Sequence, residues 1–484
     1  MGDMVYYLKS ALWACFPGSA PQKRAWAAQW GGETLGWRWR IPDAFNEGPI
    51  LDGMAMTGNK RRVGIVGIGV ISPIGQSTHD YWSNLIARRS GVSHISLFDA
   101  STFPTTIAAE VKDFDPLKYI EKRKSLKVMM RDMQFAVAAT KEAAEDARLD
   151  QPQPDPTRIG VVFGAGMIST DVCELAPAIA RSLDGAGQFD MARFGAEGIH
   201  LLFPLWLLKQ LPNMLASHVS INYNAQGPSN TITTGCSASA HAIGEASRII
   251  SRGGADIVIT GGASSCITPL KLIRYHKLGV LSRRNDFPEM ASCPFDARRD
   301  GFVIGEGAGI IILEEIEHAR ARGARIYAEL LGYGSSVDMQ RSPGGAVETS
   351  SKSRAMRAAV ADAGIAASEV DYISAHGNSI PFTDRLETMA IKEVWGGRAY
   401  SIPVSSIKGQ IGDLTSASGA MGLISAAMAI HHRVIPCTMN YEVRDPECDL
   451  DYVPQPRPAA VSCALCNSFD FMGQNVSLVL RKVS

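Results

Sequence analysis

Cys236 is the clearest candidate for a catalytic nucleophile in this sequence. It follows the β-rich run SNTITTG and precedes a helix of small residues, Ser237–Ser251. A thiol at such a junction lies over the positive end of the helix, which predicts a stabilised thiolate, and backbone N–H groups of the turn can stabilise a thioester oxyanion. A small buried cysteine at a tight turn is the structural alternative. The order strand, glycine, cysteine, helix favours the nucleophile.

Three further polar side chains stand where a strand or a glycine-rich loop ends. His376 closes the strand-like run VDYISAHG, a position that suits a general base or an oxyanion donor. Lys408 and Asp413 are five residues apart in SSIKGQIGDLTSASGA, where glycines allow a loop that turns both side chains inward. The ordinary alternatives are a structural histidine and a solvated loop with incidental charges.

The elements that must position these residues alternate between strand and helix from residue 61 onward. Strands are predicted at 63–70, 158–166, 255–263, 325–334, 370–377 and 402–410, and helices at 126–147, 237–251, 351–363, 385–395 and 418–432. Apolar strands alternating with helices predict a mostly parallel sheet covered on both faces, with reactive groups at the carboxyl ends of strands. Because the order occurs twice without a linker, we expect two similar halves packed as one body.

The first sixty residues differ from the rest of the chain. They hold five of the eight tryptophans, in sequence broken by glycine and proline and without a clear period. We interpret residues 1–60 as an appendage, residues 61–318 as the half that carries the cysteine, and residues 319–484 as the half that carries the histidine, lysine and aspartate.

Composition argues against several partners and sites. The 48 basic and 48 acidic residues balance, which gives no electrostatic reason to expect nucleic acid. No apolar run reaches the length of about eighteen residues that predicts a membrane span. Nine cysteines without a repeating spacing predict reduced thiols in the cytoplasm.

Two short motifs are weak evidence for a metal, redox or dinucleotide-binding site. Cys463-x-x-Cys466 has no second pair, which favours two thiols on a buried strand over a metal or redox site, and we expect no metal. Gly67-x-Gly69 lacks the third glycine of a dinucleotide-binding motif, because Ser72 stands there and Pro73 follows.

Residues 61–484 resemble the β-ketoacyl-acyl carrier protein synthases of the type I/II ketosynthase family. The blocks that carry the resemblance are RRVGIVGIGVISPIG, TTGCSASAHAIGEA, ADIVITGGA, PFDARRDGFVIGEGAG, AHGNSIPFTD, SSIKGQIGDLTSASGA and CNSFDFMGQN. The resemblance implies a thiolase-like α/β fold, with two similar βαβαβ-type halves in a layered α-β-α-β-α arrangement. It also implies a dimer, either a homodimer or a heterodimer with a second ketosynthase-like chain.

The resemblance further implies an acyltransferase of fatty acid or polyketide synthesis that holds no cofactor of its own. Cys236 would take an acyl group from the phosphopantetheine of an acyl carrier protein, and a malonyl thioester would then lose CO2 and attack that acyl-enzyme. His376 matches the first of two family histidines that donate hydrogen bonds to the malonyl thioester oxygen, and Lys408 matches the active-site lysine. Glu306 matches the glutamate of the GEG block, and Phe471 the phenylalanine that gates the acyl pocket.

Asp413 stands where the family has its second catalytic histidine. An ionised carboxylate cannot donate a hydrogen bond, and losing one oxyanion donor costs about 10²–10³ in rate. Burial beside Glu306 would keep Asp413 protonated, whereas Lys408 would favour the ionised form, and the sequence leaves both open.

Two other family segments are altered. Asn378 and Ile380 replace two threonines that hold the pantetheine arm. The closing loop, residues 469–473, reads FDFMG, so Asp470 and Met472 stiffen what glycines leave mobile in the family.

Three functions remain open at this point. One is a carbon–carbon-forming ketosynthase with a Cys-His-Asp site. Another is an acyltransferase that skips decarboxylation, with Asp413 as base for an amine or alcohol acceptor. The last is a non-catalytic partner that shapes the chain-length pocket of a ketosynthase heterodimer. The presence of Cys236 argues against this last function, because such partners usually lack the cysteine.

Overall fold

The computed structural model describes residues 60–150, 154–166, 172–338 and 350–483. The expected appendage, apart from Lys60, lies outside the described residues. The strands are β1 (Val63–Ile71), β2 (Val92–His94), β3 (Ile107–Ala109), β4 (Ile159–Ala165), β5 (Ser229–Ile232), β6 (Ile257–Ser265), β7 (Glu306–Glu315), β8 (Ala328–Val337), β9 (Tyr372–Ser374), β10 (Val404–Ser405), β11 (Val434–Ile435), β12 (Arg457–Pro458), β13 (Cys463–Phe469) and β14 (Gln474–Arg481). The main helices are α1 (Thr78–Ile86), α2 (Arg131–Asp146), α3 (Val172–Arg181), α4 (Met214–Asn222), α5 (Ala238–Ser251), α6 (Pro269–Lys277), α7 (Ile316–Ala321), α8 (Ser350–Asp362), α9 (Pro381–Trp395), α10 (Lys408–Ile411) and α11 (Ser418–His432).

A ten-stranded sheet, in the order β10-β9-β13-β14-β8-β1-β7-β6-β4-β5, contains the same pattern twice. In one half β5, β4 and β6 are parallel, and β7 and β1 follow antiparallel. In the other half β10, β9 and β13 are parallel, and β14 and β8 follow antiparallel. The halves meet where β1 pairs with β8. The prediction of two similar halves is confirmed. The prediction of a mostly parallel sheet is wrong, because five of the nine strand pairings in this sheet are antiparallel, those that involve β7, β1, β8 and β14.

Helices cover both faces of each half. The central helices α5 and α11 contact each other, with α5 against β4 and β6 and α11 against β13 and β7. On the outer faces, α2 packs on β1 and β7, and α8 packs on β8 and β14. These contacts give the expected α-β-α-β-α layers, and the largest apolar cluster includes Ile243 of α5 and Leu423 of α11.

The G-x-G sequence of β1 serves packing. A Cβ at Gly69 would lie 1.9 Å from the carbonyl oxygen of Ala139 in α2. The second half repeats the arrangement, because a Cβ at Gly334 of β8 would lie 2.3 Å from the carbonyl oxygen of Ala355 in α8. Glycine therefore lets each outer helix approach its strand closely.

Several element boundaries differ from the sequence prediction. The helix predicted at 385–395 begins at Pro381, whose fixed φ suits the first helical turn. The strand predicted at 402–410 ends at Ser405, because Lys408–Ile411 forms a helical turn of its own. Cys463 and Cys466 lie on the buried strand β13, as expected for structural thiols. Among the described residues, no helix is long and apolar enough to cross a membrane.

Candidate active site

Cys236 lies in the helical turn Gly235–Ser237 that joins β5 to α5, and only 4% of it is exposed. Its backbone is held from the end of β13: the Ser468 hydroxyl donates to the Cys236 carbonyl at 3.2 Å. On the other side, the Cys236 N–H donates to Oδ2 of Asp470. The strand-to-helix junction expected for the nucleophile is therefore present, and the first backbone donor of that turn is already bound to a carboxylate.

The thiol of Cys236 is not activated in the way its helix position predicts. Burial raises its pKa well above the ordinary value, and the negative charges of Asp470 and Asp413 act in the same direction. Lys408 lowers the pKa, but by less than these effects raise it. The expectation of a stabilised thiolate was wrong, because it counted the helix start and left out burial and the two carboxylates.

His376, Lys408 and Asp413 come together as a buried chain. Lys408 Nζ lies 3.0 Å from His376 Nδ1 and 3.1 Å from Asp413 Oδ2. All three residues are at most 5% exposed. Lys408 thus bridges the imidazole and the carboxylate. The charges of Lys408 and Asp413 also affect the pKa of the Cys236 thiol.

Asp413 is ionised in this site. Burial favours its neutral form, but the charge of Lys408 and two hydrogen bonds to the carboxylate outweigh burial and hold the pKa of Asp413 below its ordinary value. The two bonds come from the Thr415 N–H at 2.8 Å and the Ser418 hydroxyl at 2.7 Å, both to Oδ1. Between the two states that the sequence left open, the structure favours the charged one.

His376 is neutral for the opposite reason. Burial, and then the charge of Lys408, lower its pKa well below the ordinary value, against a smaller opposing effect of Asp413. Lys408 Nζ lies 3.0 Å from Nδ1 and 3.4 Å from Nε2 of His376. An ammonium group only donates hydrogen bonds, so the shorter contact favours Nδ1 as the acceptor and Nε2 as the position of the ring proton. That leaves Nε2–H as the donor of this ring.

Glu387 fixes the turn that carries His376, and sequence reasoning missed it. Its carboxylate accepts from the backbone N–H groups of His376 at 2.9 Å and Gly377 at 2.8 Å, and from the Asn467 amide at 3.0 Å. Because α9 begins at Pro381, Glu387 lies on its buried face. The sequence feature that could have identified Glu387 is an acidic residue on the helix that follows the histidine.

Glu306 does not reach Asp413 in any described contact. Its carboxylate binds Arg131, with Nη2 at 2.7 Å, and accepts from the Val111 N–H and the Ser265 hydroxyl. The burial of Asp413 beside Glu306 that would have kept the aspartate protonated is replaced by a salt bridge between Glu306 and Arg131.

Asn378, Ile380 and Phe471 have separate surroundings. Asn378 is buried, and its Oδ1 accepts from the Thr383 hydroxyl at 2.6 Å at the start of α9. Ile380 is 8% exposed and packs in an apolar cluster that includes Cys266. The Phe471 ring meets the edge of Tyr275 at 6.4 Å between ring centres. Their roles toward a substrate stay predictions.

Tyr275 is a neighbour of the site that sequence reasoning did not single out. Burial raises its pKa, and Cys266, Cys236, Asp413 and Asp470 raise it further, so the ring lies among these groups. Its position on the short helix α6, after the glycine-rich end of β6, gave no local motif by which to find it.

The fold and this site define a thiolase-like acyl-transferring enzyme: two layered α/β halves, with a cysteine on one and a histidine, a lysine and an aspartate on the other. Residues 60–319 match the family model of the β-ketoacyl synthase N-terminal domain, and residues 327–442 match that of the C-terminal domain. The chain belongs to the β-ketoacyl synthase family.

Relatives and solved structures agree with this assignment. The chain is 40% identical to a 3-oxoacyl-[acyl-carrier-protein] synthase 2 of Coxiella burnetii, over 88% of this chain and 99% of the relative. It is 39% identical to a putative polyketide beta-ketoacyl synthase 1 of Streptomyces halstedii, over 82% and 92%. A type II polyketide synthase carrier protein in complex with its ketosynthase aligns with a TM-score of 0.78 at 32% identity, over 88% of this chain and all of that chain. The ishigamide ketosynthase/chain length factor aligns with the same score, identity and coverage.

Proposed function

We propose that the protein is a condensing enzyme of the β-ketoacyl-acyl carrier protein synthase type, in which acylation of Cys236 is faster than malonyl activation. The observation that carries this proposal is the buried chain His376–Lys408–Asp413, which affects the Cys236 thiol and contains an ionised carboxylate. Names of relatives in both fatty acid and polyketide synthesis support the reaction class.

In the first half-reaction, the Cys236 sulfur attacks the carbonyl carbon of an acyl thioester. A new carbon–sulfur bond forms, the bond to the pantetheine sulfur breaks, and the thiol proton of Cys236 leaves with the pantetheine thiol. This step needs the thiolate and donors to the carbonyl oxygen near the turn that carries Cys236. It needs no second histidine.

In the second half-reaction, a malonyl thioester loses CO2, and the resulting enolate carbon attacks the acyl group on Cys236. Negative charge then builds on the thioester oxygen of the enolate. Nε2–H of His376 can donate to that oxygen, whereas ionised Asp413 has no proton to donate and repels the forming charge. Decarboxylation is therefore the slower step.

A carrier protein and a second subunit complete the proposal. The structural neighbours include a ketosynthase with its carrier protein and a ketosynthase/chain length factor. On this chain, the exposed basic side chains Lys122, Arg123 and Lys124 offer a local site for an acidic carrier protein. The substrates bring their own phosphopantetheine, so the chain needs no other cofactor. The seven cysteines whose side chains the structure describes are unpaired, which favours the cytoplasm.

A second candidate rests on the same ionised carboxylate. With Asp413 as base, the acyl-enzyme would transfer its acyl group to an amine or alcohol, without decarboxylation. A chain-length partner of a heterodimer is less well supported, because the nucleophile Cys236 is present at a strand-to-helix turn.

Mass spectrometry of the intact protein distinguishes these functions. The protein is incubated with a panel of acyl carrier thioesters, with and without malonyl carrier protein, and Cys236→Ala is compared with Cys437→Ala, which removes another buried thiol. An acyl adduct on wild type and Cys437→Ala, absent from Cys236→Ala, is expected. Slow conversion to a 3-oxoacyl product with malonyl carrier protein supports the condensing enzyme. Acylation with turnover only on an added amine or alcohol supports the second candidate, and no adduct with any donor contradicts both.

A further inference from the structure

Asp470 binds the nucleophile's own backbone. Its Oδ2 accepts the N–H of Cys236, and its Oδ1 accepts the N–H of Met472 at 2.5 Å. The side chain is 3% exposed. The carboxylate therefore joins the closing loop to the turn that carries the thiol.

The surrounding backbone is shaped for this contact. Gly235 has a φ of +62°, and a Cβ there would lie 1.8 Å from Asp470 Oδ2, so only glycine fits next to the carboxylate. The closing loop is a tight turn, because the Gly473 N–H donates to the Asp470 carbonyl at 2.9 Å and the Asp470 N–H to Gln474 at 2.7 Å. Asp470 thus lies in the tight turn between β13 and β14.

An acyl donor needs the same N–H group. When sulfur attacks a thioester, charge develops on the carbonyl oxygen, and the N–H of the nucleophilic residue at a helix start is a natural donor to that oxygen. A carboxylate and an oxyanion cannot share one donor without strong repulsion. The arrangement with Asp470 on Cys236 is therefore a closed form of the acylation site.

We propose that Asp470 is a positioning residue that holds the acylation site closed, so that an acyl donor reacts only after the closing loop withdraws the carboxylate from the Cys236 N–H. This rests on the proposed role of Cys236 as the acylated nucleophile. Met472 is 50% exposed and Phe471 is partly exposed. A bound acyl chain or pantetheine arm can therefore contact these side chains and displace the loop.

The electrostatics of the thiol agree with a closed form. Asp470 is, after burial, the largest contributor to the raised pKa of Cys236. The titratable groups that face the thiol or the Asp470 carboxylate are Asp413, Lys408, Cys266, Tyr275 and Lys352. When Asp470 is removed, the effects of these other groups on the thiol stay in place. A change in the thiol pKa on that removal therefore measures the effect of Asp470 itself.

Two substitutions separate charge from occupancy. Asp470→Asn removes the charge and keeps an oxygen that accepts the Cys236 N–H, whereas Asp470→Gly removes both. Two rates are measured: alkylation of Cys236 by iodoacetamide from pH 6 to 10, which needs the thiolate alone, and acylation by an acyl carrier thioester. Asp371→Asn is the matched control, because its carboxylate also accepts backbone N–H groups, those of Ser462 and Cys463 at the far end of β13.

We expect the alkylation profile of both Asp470 variants to move to lower pH, and that of Asp371→Asn to match wild type. Acylation by Asp470→Gly should rise at least about tenfold and by up to about 10²–10³, the effect of one oxyanion donor, and by more than in Asp470→Asn. Unchanged alkylation profiles in folded variants, or slower acylation, would mean that Asp470 only supports the turn, and would overturn the proposal. If Asp470→Gly does not fold, Asp470→Asn decides through its alkylation profile. If the alkylation profiles shift but no variant is acylated, the effect of Asp470 on the thiol is still shown, and the result counts against the proposed function instead.

Discussion

Asparagine in place of Asp413 changes the charge of the site while nearly keeping its shape. The amide oxygen can still accept from the Thr415 N–H and the Ser418 hydroxyl, as Oδ1 of Asp413 does. The amide NH2 then points at Lys408, where a carboxylate oxygen now lies 3.1 Å from Nζ. Asp413→Asn therefore leaves a buried ammonium group without its negative partner.

The structure sets the size of the effect on stability. The side chains of Lys408 and Asp413 are 6% and 2% exposed, and removing one partner of such a buried pair costs about 3–5 kcal/mol. Ser418→Ala removes one hydrogen bond to the same carboxylate and costs about 1.5–3 kcal/mol. We expect Asp413→Asn to lower the free energy of unfolding in urea at pH 7 by more than Ser418→Ala does.

The same substitution should change activity in the opposite direction. Without the negative charge beside the forming enolate, and with an amide that can donate, Asp413→Asn should decarboxylate malonyl carrier protein faster than wild type. The stability difference should shrink at acid pH. Because the pKa of Asp413 is lower in the folded chain than its ordinary 3.8, its contribution is full above that value and is lost as pH falls below it. An Asp413→Asn protein as stable as wild type at pH 7 would show that Asp413 is protonated, and would refute this reasoning.

Three further predictions concern the thiol, the carrier protein and the dimer. Acyl thioesters should label Cys236 alone, whereas its iodoacetamide rate should be low at pH 7 and still rise above pH 9, because the thiol pKa is raised; a plateau below pH 8 would contradict the raised pKa. Replacing the basic residues 122–124 by glutamate should raise KM for carrier-protein substrates and leave kcat with a small-molecule thioester unchanged, while Arg252→Glu on another surface serves as control. A chain that begins at Met56 should remain dimeric in light scattering, because β5, a partly exposed strand at the edge of the ten-stranded sheet, offers a contact that does not involve the appendage; a monomer would show that residues 1–55 are integral.

The sequence was sufficient for the fold because its signals are local and repeated. Apolar strands that alternate with helices of small residues predict the layers, and the helix predicted at 418–432 has those bounds in the structure. Boundaries failed where tertiary contacts decide them. The residues after Ser405 form a helical turn, from which Lys408 contacts His376. Local sequence patterning does not contain that contact.

The candidate site was predictable in its residues but not in its electrostatics. Cys236, His376, Lys408 and Asp413 could be named from strand ends and motifs, and the structure brings the last three into direct contact. The thiol pKa could not be predicted, because it depends on burial and on Asp470, which is more than two hundred residues away in sequence. Whether Asp413 is charged likewise depends on tertiary contacts. Glu306 pairs with Arg131 and not with Asp413, so Lys408 stabilises the ionised form of Asp413.

The central claim is that acylation of Cys236 is faster than malonyl decarboxylation, which is slow because Asp413 is ionised. The most direct test is rapid-quench measurement of both steps in one reaction: acyl adduct by intact mass, and CO2 released from carboxyl-labelled malonyl carrier protein, for wild type and Asp413→His. The account predicts an acyl adduct that forms well before CO2 appears in wild type, and faster CO2 release in Asp413→His with little change in acylation, limited in extent by Asn378 and Ile380. CO2 release that keeps pace with acylation in wild type, and that slows in Asp413→His, would contradict it and would make Asp413 a working donor or base.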